Sequence, residues 1–201
     1  MKHALMENQG YLVVDNFLPV EIAEELYTMY VNTEESKWEQ ISQERSKHYE
    51  HVFKMPEATL PDEDEVYIAK FGRNKSIESS ERFNQIYKEY IFPALIEATQ
   101  IQMTESDNRC YRLLPKDLYR AHIDDYIAKI GLVYYINKKW KWDWGGILHV
   151  VTENGKDLKS ILPVFNRAVI LAHELFRFPH FVSSVEDFAK EPRYSIVSFT
   201  K

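Results

Sequence analysis

Three residues, two of them neighbours in the sequence and one distant, carry the side chains needed to bind one metal ion. His122 and Asp124 are two positions apart, so in extended backbone both side chains point to the same side. His180 comes much later and opens another apolar segment. Two imidazoles and one carboxylate leave three coordination positions free on iron(II), which is the arrangement that non-haem oxygenases use. The His-x-Asp triplet alone is a weak signal, because a hydrogen-bonded surface pair would have the same sequence.

Arg193 begins the last apolar segment and adds a second chemical function to this set. A buried arginine near a metal suits a dicarboxylate, since its planar guanidinium pairs with a carboxylate through two hydrogen bonds. His173 is the rival third ligand, but it ends an apolar segment. His149 directly follows Leu148 and would face away from a pocket that Leu148 lines. The remaining histidines lie in polar segments and are expected to be solvated: His3, His48 and His51.

The first half of the chain predicts helices. A short strand at 11–14 turns at 15–19 into a helix, with Pro19 near its first turn and Ile22, Leu26, Met29 and Tyr30 on one apolar face. A second helix begins near Phe83; Pro93 is predicted to interrupt it, and the helix resumes through Leu95 and Ile96. Between them, residues 38–76 are irregular and charged, which predicts loops with one or two short strands and a solvated acidic run at 62–65.

The second half predicts strands. Apolar or alternating runs separated by turn residues recur at 110–114, 130–136, 146–151, 160–164, 168–172, 180–185 and 194–199. Many short strands without intervening helical patterns favour an antiparallel sandwich or jelly roll supported by helices from the first half. The Gly145-Gly146 pair is interpreted as a backbone feature, a bulge or tight bend that need not contact anything. The aromatic residues Tyr134, Trp140, Trp142 and Trp144 are interpreted as core or rim residues.

Composition limits the class of protein. The 201 residues suffice for one substantial core, and a net charge of −6 argues against direct binding of nucleic acid. A single cysteine, Cys110, cannot form an internal disulfide, and the first ten residues lack the apolar core of a signal peptide. No apolar run approaches the ~20 residues that span a bilayer. We therefore expect a cytoplasmic protein that does not enter a membrane.

Residues 111–199 resemble the catalytic double-stranded β-helix of the 2-oxoglutarate oxygenases, and within them the prolyl hydroxylases. The resemblance lies in residues 134–140 (YYINKKW), 145–148 (GGIL), 179–180 (PH) and 193–196 (RYSI), and residues 10–19 look like the N-terminus of the same group. It is similar in order and spacing to the hypoxia-sensing prolyl hydroxylases and, more loosely, to the ribosomal-protein prolyl hydroxylases. It implies one domain over 1–201, with helical support and substrate loops in 1–107 and a jelly-roll core in 108–201.

The resemblance also implies the role of each site residue. His122, Asp124 and His180 would hold Fe(II), and Arg193 would pair with the distal carboxylate of 2-oxoglutarate. The residues implied to complete the co-substrate pocket are Tyr135, Tyr111, Leu148 and Ser195. Dioxygen would be the oxidant, and ascorbate a supporting reductant.

The implied substrate is a prolyl residue in a protein or peptide. Against that, Ala128 and Lys129 stand where the hypoxia-sensing enzymes carry an arginine, and Phe199 stands where they carry a tryptophan. Two alternatives stay open: a hydroxylase of a free amino acid or small metabolite, and a non-catalytic jelly-roll binding module. A zinc hydrolase could use the same three ligands but gives no role to Arg193 and Tyr135.

Overall fold

The fold is an antiparallel sheet with helices packed on one face, as seen in a computed structural model that describes residues 10–45, 67–122, 124, 128–152, 157–173 and 179–201. Its strands are β1 (Tyr11–Asp15), β2 (Glu39–Arg45), β3 (Tyr67–Arg73), β4 (Ser106–Leu113), β5 (Leu118–His122), β6 (Ile130–Tyr135), β7 (Leu148–Val151), β8 (Leu158–Ile161), β9 (Arg167–Ala172), β10 (His180–Val182) and β11 (Arg193–Thr200). The helices are α1 (Val20–Val31), α2 (Lys75–Glu78), α3 (Glu81–Ile86) and α4 (Phe92–Thr99).

The sheet is curled, and one strand, β3, joins its two halves. The strand order is β1-β9-β6-β11-β4-β3-β5-β10-β7-β8, and β2 pairs with β3 outside this path. Gly72 and Arg73 of β3 pair with β4, whereas Ala69 and Lys70 of the same strand pair with β5. The five strands β1, β9, β6, β11 and β4 thus form one half, and β5, β10, β7 and β8 the other. This confirms the predicted helix-supported jelly roll, the double-stranded β-helix.

Strand alternation divides the buried side chains between two layers. On β6, Ile130, Leu132 and Tyr134 face the helices and pack with Leu26 of α1. Tyr135, the next residue of β6, faces the other way into a smaller cluster between the two halves of the sheet. Successive side chains on a strand point to opposite faces, so one strand supplies both layers. The candidate site belongs to the inner layer.

The helices form largely as the apolar spacing predicts. Ile22, Leu26 and Tyr30 of α1 are buried, and Pro19 precedes the first turn. The prediction that Pro93 interrupts the second helix is wrong, because α3 runs through a π-helical turn at Tyr87–Ile91 directly into α4. Proline lacks an N–H and its ring crowds the preceding turn, and the wider π turn accommodates both.

The strand predictions differ from the structure in several places; for example, β4 begins at Ser106 rather than at Cys110, and β8 covers Leu158–Ile161 rather than 160–164. Strand β5 was not predicted, although it ends at His122. Strands β2 and β3 are seven residues each and pair along their full length, so they are longer than the short strands expected for 38–76. Strand β7 begins at Leu148 rather than at Gly146, because both Gly145 and Gly146 have positive φ. The acidic run at 62–65 lies outside the described residues. None of the described helices is long and apolar enough to cross a membrane.

Candidate functional site

The sheet brings the three predicted metal ligands together. His122 ends β5 and His180 begins β10, and the two residues are directly paired in the antiparallel register. Their imidazole rings are 4.3 Å apart between centroids. Asp124 follows β5, with its Oδ2 atom 3.8 Å from Nε2 of His122 and 3.4 Å from Nε2 of His180. One ligand atom from each residue lies within 4.8 Å of the others, so the group could hold a single metal ion.

Hydrogen bonding and burial prepare His122 to act as a ligand. Its Nδ1 lies 2.7 Å from the carbonyl oxygen of Arg120, which fits an Nδ1–H donor. That tautomer leaves the lone pair of Nε2 directed at Asp124 and His180. Burial, with a smaller contribution from the charge of His180, lowers the pKa of His122 to about 4. The imidazole is therefore neutral at physiological pH, which is the form that binds a metal.

Asp124 is held in its charged form. Burial raises the pKa of its carboxyl group, but electrostatic interaction with the imidazoles of His122 and His180 and a hydrogen bond with His180 oppose this and hold the pKa below its ordinary range. An anionic oxygen between two imidazole nitrogens matches the two-histidine, one-carboxylate ligand set of non-haem iron(II) sites. The donor set therefore fits iron(II) on its chemistry.

Arg193 is a buried cation with free hydrogen-bond donors. The residue is 2% exposed, and its guanidinium lies over the ring of Tyr135 at 4.8 Å from the centroid. Its Nη1 donates to Oγ of Ser195 at 3.4 Å, whereas Nε and Nη2 have no partner within the described part of the chain. Burying a charge without a partner costs free energy. The site therefore favours an anionic ligand that can accept from those two nitrogens.

Three predicted pocket residues share one face of the sheet. Ser195 of β11 is paired with Tyr111 of β4 on one side and with Tyr135 of β6 on the other, and residues directly opposite in a sheet point to the same face. The hydroxyl of Tyr135 is buried and makes no hydrogen bond of normal geometry among the described residues, although Arg193 lies close to it. Burial raises its pKa, against the opposing charge of Arg193, so Tyr135 is a neutral hydrogen-bond donor. The hydroxyl groups of Tyr135 and Ser195 thus add two possible hydrogen-bond donors on the face where the guanidinium of Arg193 lies.

The apolar residues of the predicted pocket separate into two groups. Leu148 is 1% exposed and packs in the same inner cluster as Tyr135. Tyr111 instead belongs to a neighbouring cluster, with its ring 4.6 Å from that of Phe71, and its hydroxyl accepts from Arg109 at 3.4 Å. Leu148 thus lies with the Tyr135 group, and Tyr111 lies at its edge.

The structure gives Gly146 a contact that the sequence interpretation had missed. A Cβ atom at this position would lie 2.9 Å from Cδ of Arg193, 3.1 Å from Val185 and 3.2 Å from Trp140. The positive φ of Gly145 and Gly146 confirms the tight bend. The expectation that the pair need not contact anything is wrong for both glycines, since a Cβ at Gly145 would lie 1.9 Å from the carbonyl oxygen of Ser184. Nothing in the local sequence signals this, because the contact joins two segments that only the fold brings together.

The two other described histidines are not members of the metal-ligand group. His173 is buried against Gly131 and is not among the three clustered residues. His149 faces away from Leu148 as predicted, with Nδ1 3.0 Å from Oγ of Ser160 and its ring stacked on Phe181. Positions 3, 48 and 51 lie outside the described residues.

The aromatic residues that were assigned to the core or rim occupy both places. Tyr134 is fully buried and donates to Oδ1 of Asn166, and Trp144 is also buried. Trp142 is 84% exposed. Trp140 is half-buried, and its Nε1 donates to the carbonyl of Gly145 at 2.9 Å. Of these four residues, Trp140 borders the same Cβ position at Gly146 that Arg193 approaches.

Comparisons with known proteins agree with this geometry. Residues 109–201 match the model of the 2OG-Fe(II) oxygenase superfamily. No curated protein sequence matches the chain. The fold is similar to that of a Pseudomonas putida prolyl-4-hydroxylase, with a TM-score of 0.61 and 16% identity, covering 100% of this chain and 98% of that one.

Two further solved structures share the fold. One is a Trichoplax adhaerens prolyl hydroxylase in complex with a hypoxia inducible factor peptide fragment, with a TM-score of 0.68 and 18% identity over 100% of this chain and 87% of that one. The other is the viral collagen prolyl hydroxylase of Paramecium Bursaria Chlorella virus-1, with a TM-score of 0.54 and 14% identity over 98% of both chains. At these identities the likeness establishes the fold alone. Residues 109–201 therefore match the 2OG-Fe(II) oxygenase superfamily, a family that uses Fe(II), 2-oxoglutarate and dioxygen, and the chain as a whole shares its fold with prolyl hydroxylases.

Proposed function

We propose that this oxygenase hydroxylates a prolyl residue in a protein or peptide. The main evidence for an oxygenase site is the buried Arg193, which lies in the same sheet as the His122, Asp124 and His180 group. Two of its nitrogens have no hydrogen-bond partner among the described residues. The proline assignment is supported by the YYINKKW and GGIL segments and by the fold shared with prolyl hydroxylases, one of them in complex with a peptide.

In this proposal the three clustered residues hold the iron. Iron(II) bound there would activate dioxygen for insertion of one oxygen atom into a C–H bond, at the expense of 2-oxoglutarate. His122 contributes Nε2, because its Nδ1–H is bonded to the carbonyl of Arg120. Asp124 contributes a carboxylate that its two histidine neighbours keep ionised. The fixed tautomer and the fixed charge hold the ligands ready for the metal.

Arg193 and its neighbours bind and orient the co-substrate. The free Nε and Nη2 atoms donate to the distal carboxylate, and the neutral hydroxyl of Tyr135 adds a third donor. Ser195 hydrogen-bonds Arg193 and can also reach the same carboxylate. Leu148 packs along the carbon chain and, with Tyr111 at the edge, helps to exclude water. A zinc hydrolase would leave this group of donors without a ligand.

The division of the chain follows from the same assignment. All proposed site residues lie between Tyr111 and Ser195, on strands β4 to β11 or beside them. We therefore propose one oxygenase domain over residues 1–201, with a catalytic core at 108–201 and helices and substrate loops at 1–107. Strands β1 and β3 of the first part pair with core strands, and β2 pairs with β3.

The test is to supply the enzyme with Fe(II), 2-oxoglutarate, ascorbate and dioxygen, together with a library of proline-containing peptides. Each turnover should convert one 2-oxoglutarate and one dioxygen into succinate and carbon dioxide and add one oxygen atom to proline. Mass spectrometry measures the mass gain, and succinate is assayed in parallel. Asp124→Ala should abolish both signals, whereas His149→Ala, which changes a histidine that faces away from the site, should keep them.

The outcomes separate the alternatives. Succinate formation with free proline but with no peptide would replace the proposal with a hydroxylase of small metabolites. If the wild-type protein neither binds the metal nor turns over 2-oxoglutarate, a non-catalytic binding module is favoured. The proline assignment fails if no peptide proline gains oxygen.

A further inference from the structure

We infer that Gly146 is a positioning residue, which leaves the space that Arg193 needs to present its free nitrogens to the co-substrate. The inference rests on the proposed role of Arg193. The Cδ atom of Arg193 lies 2.9 Å from the place where a Cβ at position 146 would be. Real Cβ atoms do not approach other heavy atoms so closely. A side chain at 146 and the present path of Arg193 are therefore incompatible.

The backbone at Gly146 has little room to move away from Arg193. Its N–H donates to the carbonyl of Ser184 at 3.1 Å, and Gly145 forms a β-bridge with Val185. On the opposite side, Nε1 of Trp140 donates to the carbonyl of Gly145 at 2.9 Å. These hydrogen bonds fix the segment between two neighbours. Relief of a clash would therefore come from the flexible arginine side chain.

Two other side chains, those of Val185 and Trp140, border the slot, which is the space around the aliphatic part of the Arg193 side chain. Val185 and Trp140 lie 3.1 and 3.2 Å from the Cβ position at 146, so they limit where the displaced Cδ could go. Beyond the stem, the guanidinium is placed over Tyr135 and beside Ser195. Moving the stem shifts the guanidinium away from these two residues. Gly146 thus controls co-substrate binding through Arg193 without touching the co-substrate.

The experiment compares two 2-oxo acids on the same Mn(II)-loaded protein by calorimetric titration without dioxygen. 2-Oxoglutarate has the distal carboxylate that Arg193 would bind, whereas pyruvate offers only the metal-chelating end. Gly146→Ala should weaken 2-oxoglutarate binding by about 10- to 100-fold, because the loss of a hydrogen bond to a charged group lowers affinity by about this factor. Binding of pyruvate and of Mn(II) should be unchanged. Adding Val185→Ala, which opens the slot for Cδ, should restore part of the lost affinity.

Controls distinguish this effect from general damage. Gly72→Ala introduces a Cβ 2.8 Å from Cγ of a different buried arginine, Arg112, and should lower stability without changing the ratio of the two affinities. Val185→Ile fills the slot from another wall without the positive φ of Gly146, and should also weaken only 2-oxoglutarate binding. If Gly146→Ala does not fold, Val185→Ile alone decides the question.

The inference is overturned if the folded variants bind 2-oxoglutarate like the wild type, or lose affinity for both acids equally. Failure of the proposed function looks different. In that case the wild-type protein itself would bind 2-oxoglutarate no more tightly than pyruvate.

Discussion

Replacing Tyr135 by phenylalanine should strengthen the ligand-free fold and weaken co-substrate binding. The residue is fully buried, and its hydroxyl has no partner among the described residues. A buried hydroxyl without a partner costs about 1–3 kcal/mol. Removing it should therefore raise the free energy of unfolding by about 1 kcal/mol and the Tm by about 2–4 °C for a chain of this size.

The same change should have the opposite effect on 2-oxoglutarate. In the proposed site the hydroxyl of Tyr135 donates to the distal carboxylate, and a hydrogen bond to a charged group contributes about 1.5–3 kcal/mol. Its loss corresponds to roughly a 10- to 100-fold weaker affinity. Denaturant unfolding of the ligand-free protein gives the first quantity, and calorimetric titration of the Mn(II)-loaded protein gives the second.

Tyr134→Phe is the matched control, one position away on the same strand. Tyr134 is equally buried, but its hydroxyl donates to Oδ1 of Asn166 at 2.9 Å on the helix side of the sheet. Losing that hydrogen bond should lower stability by about 1 kcal/mol and leave 2-oxoglutarate binding unchanged. The reasoning is refuted if Tyr135→Phe is destabilised like Tyr134→Phe, or if it binds 2-oxoglutarate as tightly as the wild type.

Three further predictions concern the metal, the thiol and a helix end. Mn(II) at 100 times its dissociation constant should stabilise the protein by about 2.7 kcal/mol, seen as a rise in Tm that EDTA reverses; a similar rise in His180→Ala would contradict the ligand assignment. Cys110 is fully buried, and burial raises the pKa of its thiol, so a thiol reagent should modify it only as fast as the protein unfolds; rapid labelling under native conditions would argue against this packing. Ser80 caps α3 by accepting from the N–H of Phe83, so Ser80→Ala should lower the free energy of unfolding by about 1 kcal/mol in denaturant titrations without altering co-substrate affinity.

The sequence by itself predicted the features that depend on local pattern. The apolar spacing of α1 and the alternating runs after residue 108 identify helices and strands, because each periodicity buries one face of its element. The same reasoning failed at Pro93, because a π-helical turn before the proline lets the helix continue. It also failed at β5, because all residues of this strand are half-buried and show no clear alternation. Residue type also selected His122, Asp124, His180 and Arg193 as candidates, since few side chains bind metals or carboxylates.

Only the tertiary structure decided how these residues meet. The pairing of His122 with His180 depends on the register between β5 and β10, which are separated by most of the second half of the chain. The free donors of Arg193 and Tyr135 become evident only when every neighbour is known. The contact of Gly146 with Arg193 likewise joins two segments that the fold packs together. Residue types are chosen locally, whereas distances between remote side chains are fixed by sheet register and packing, which no short stretch of sequence contains.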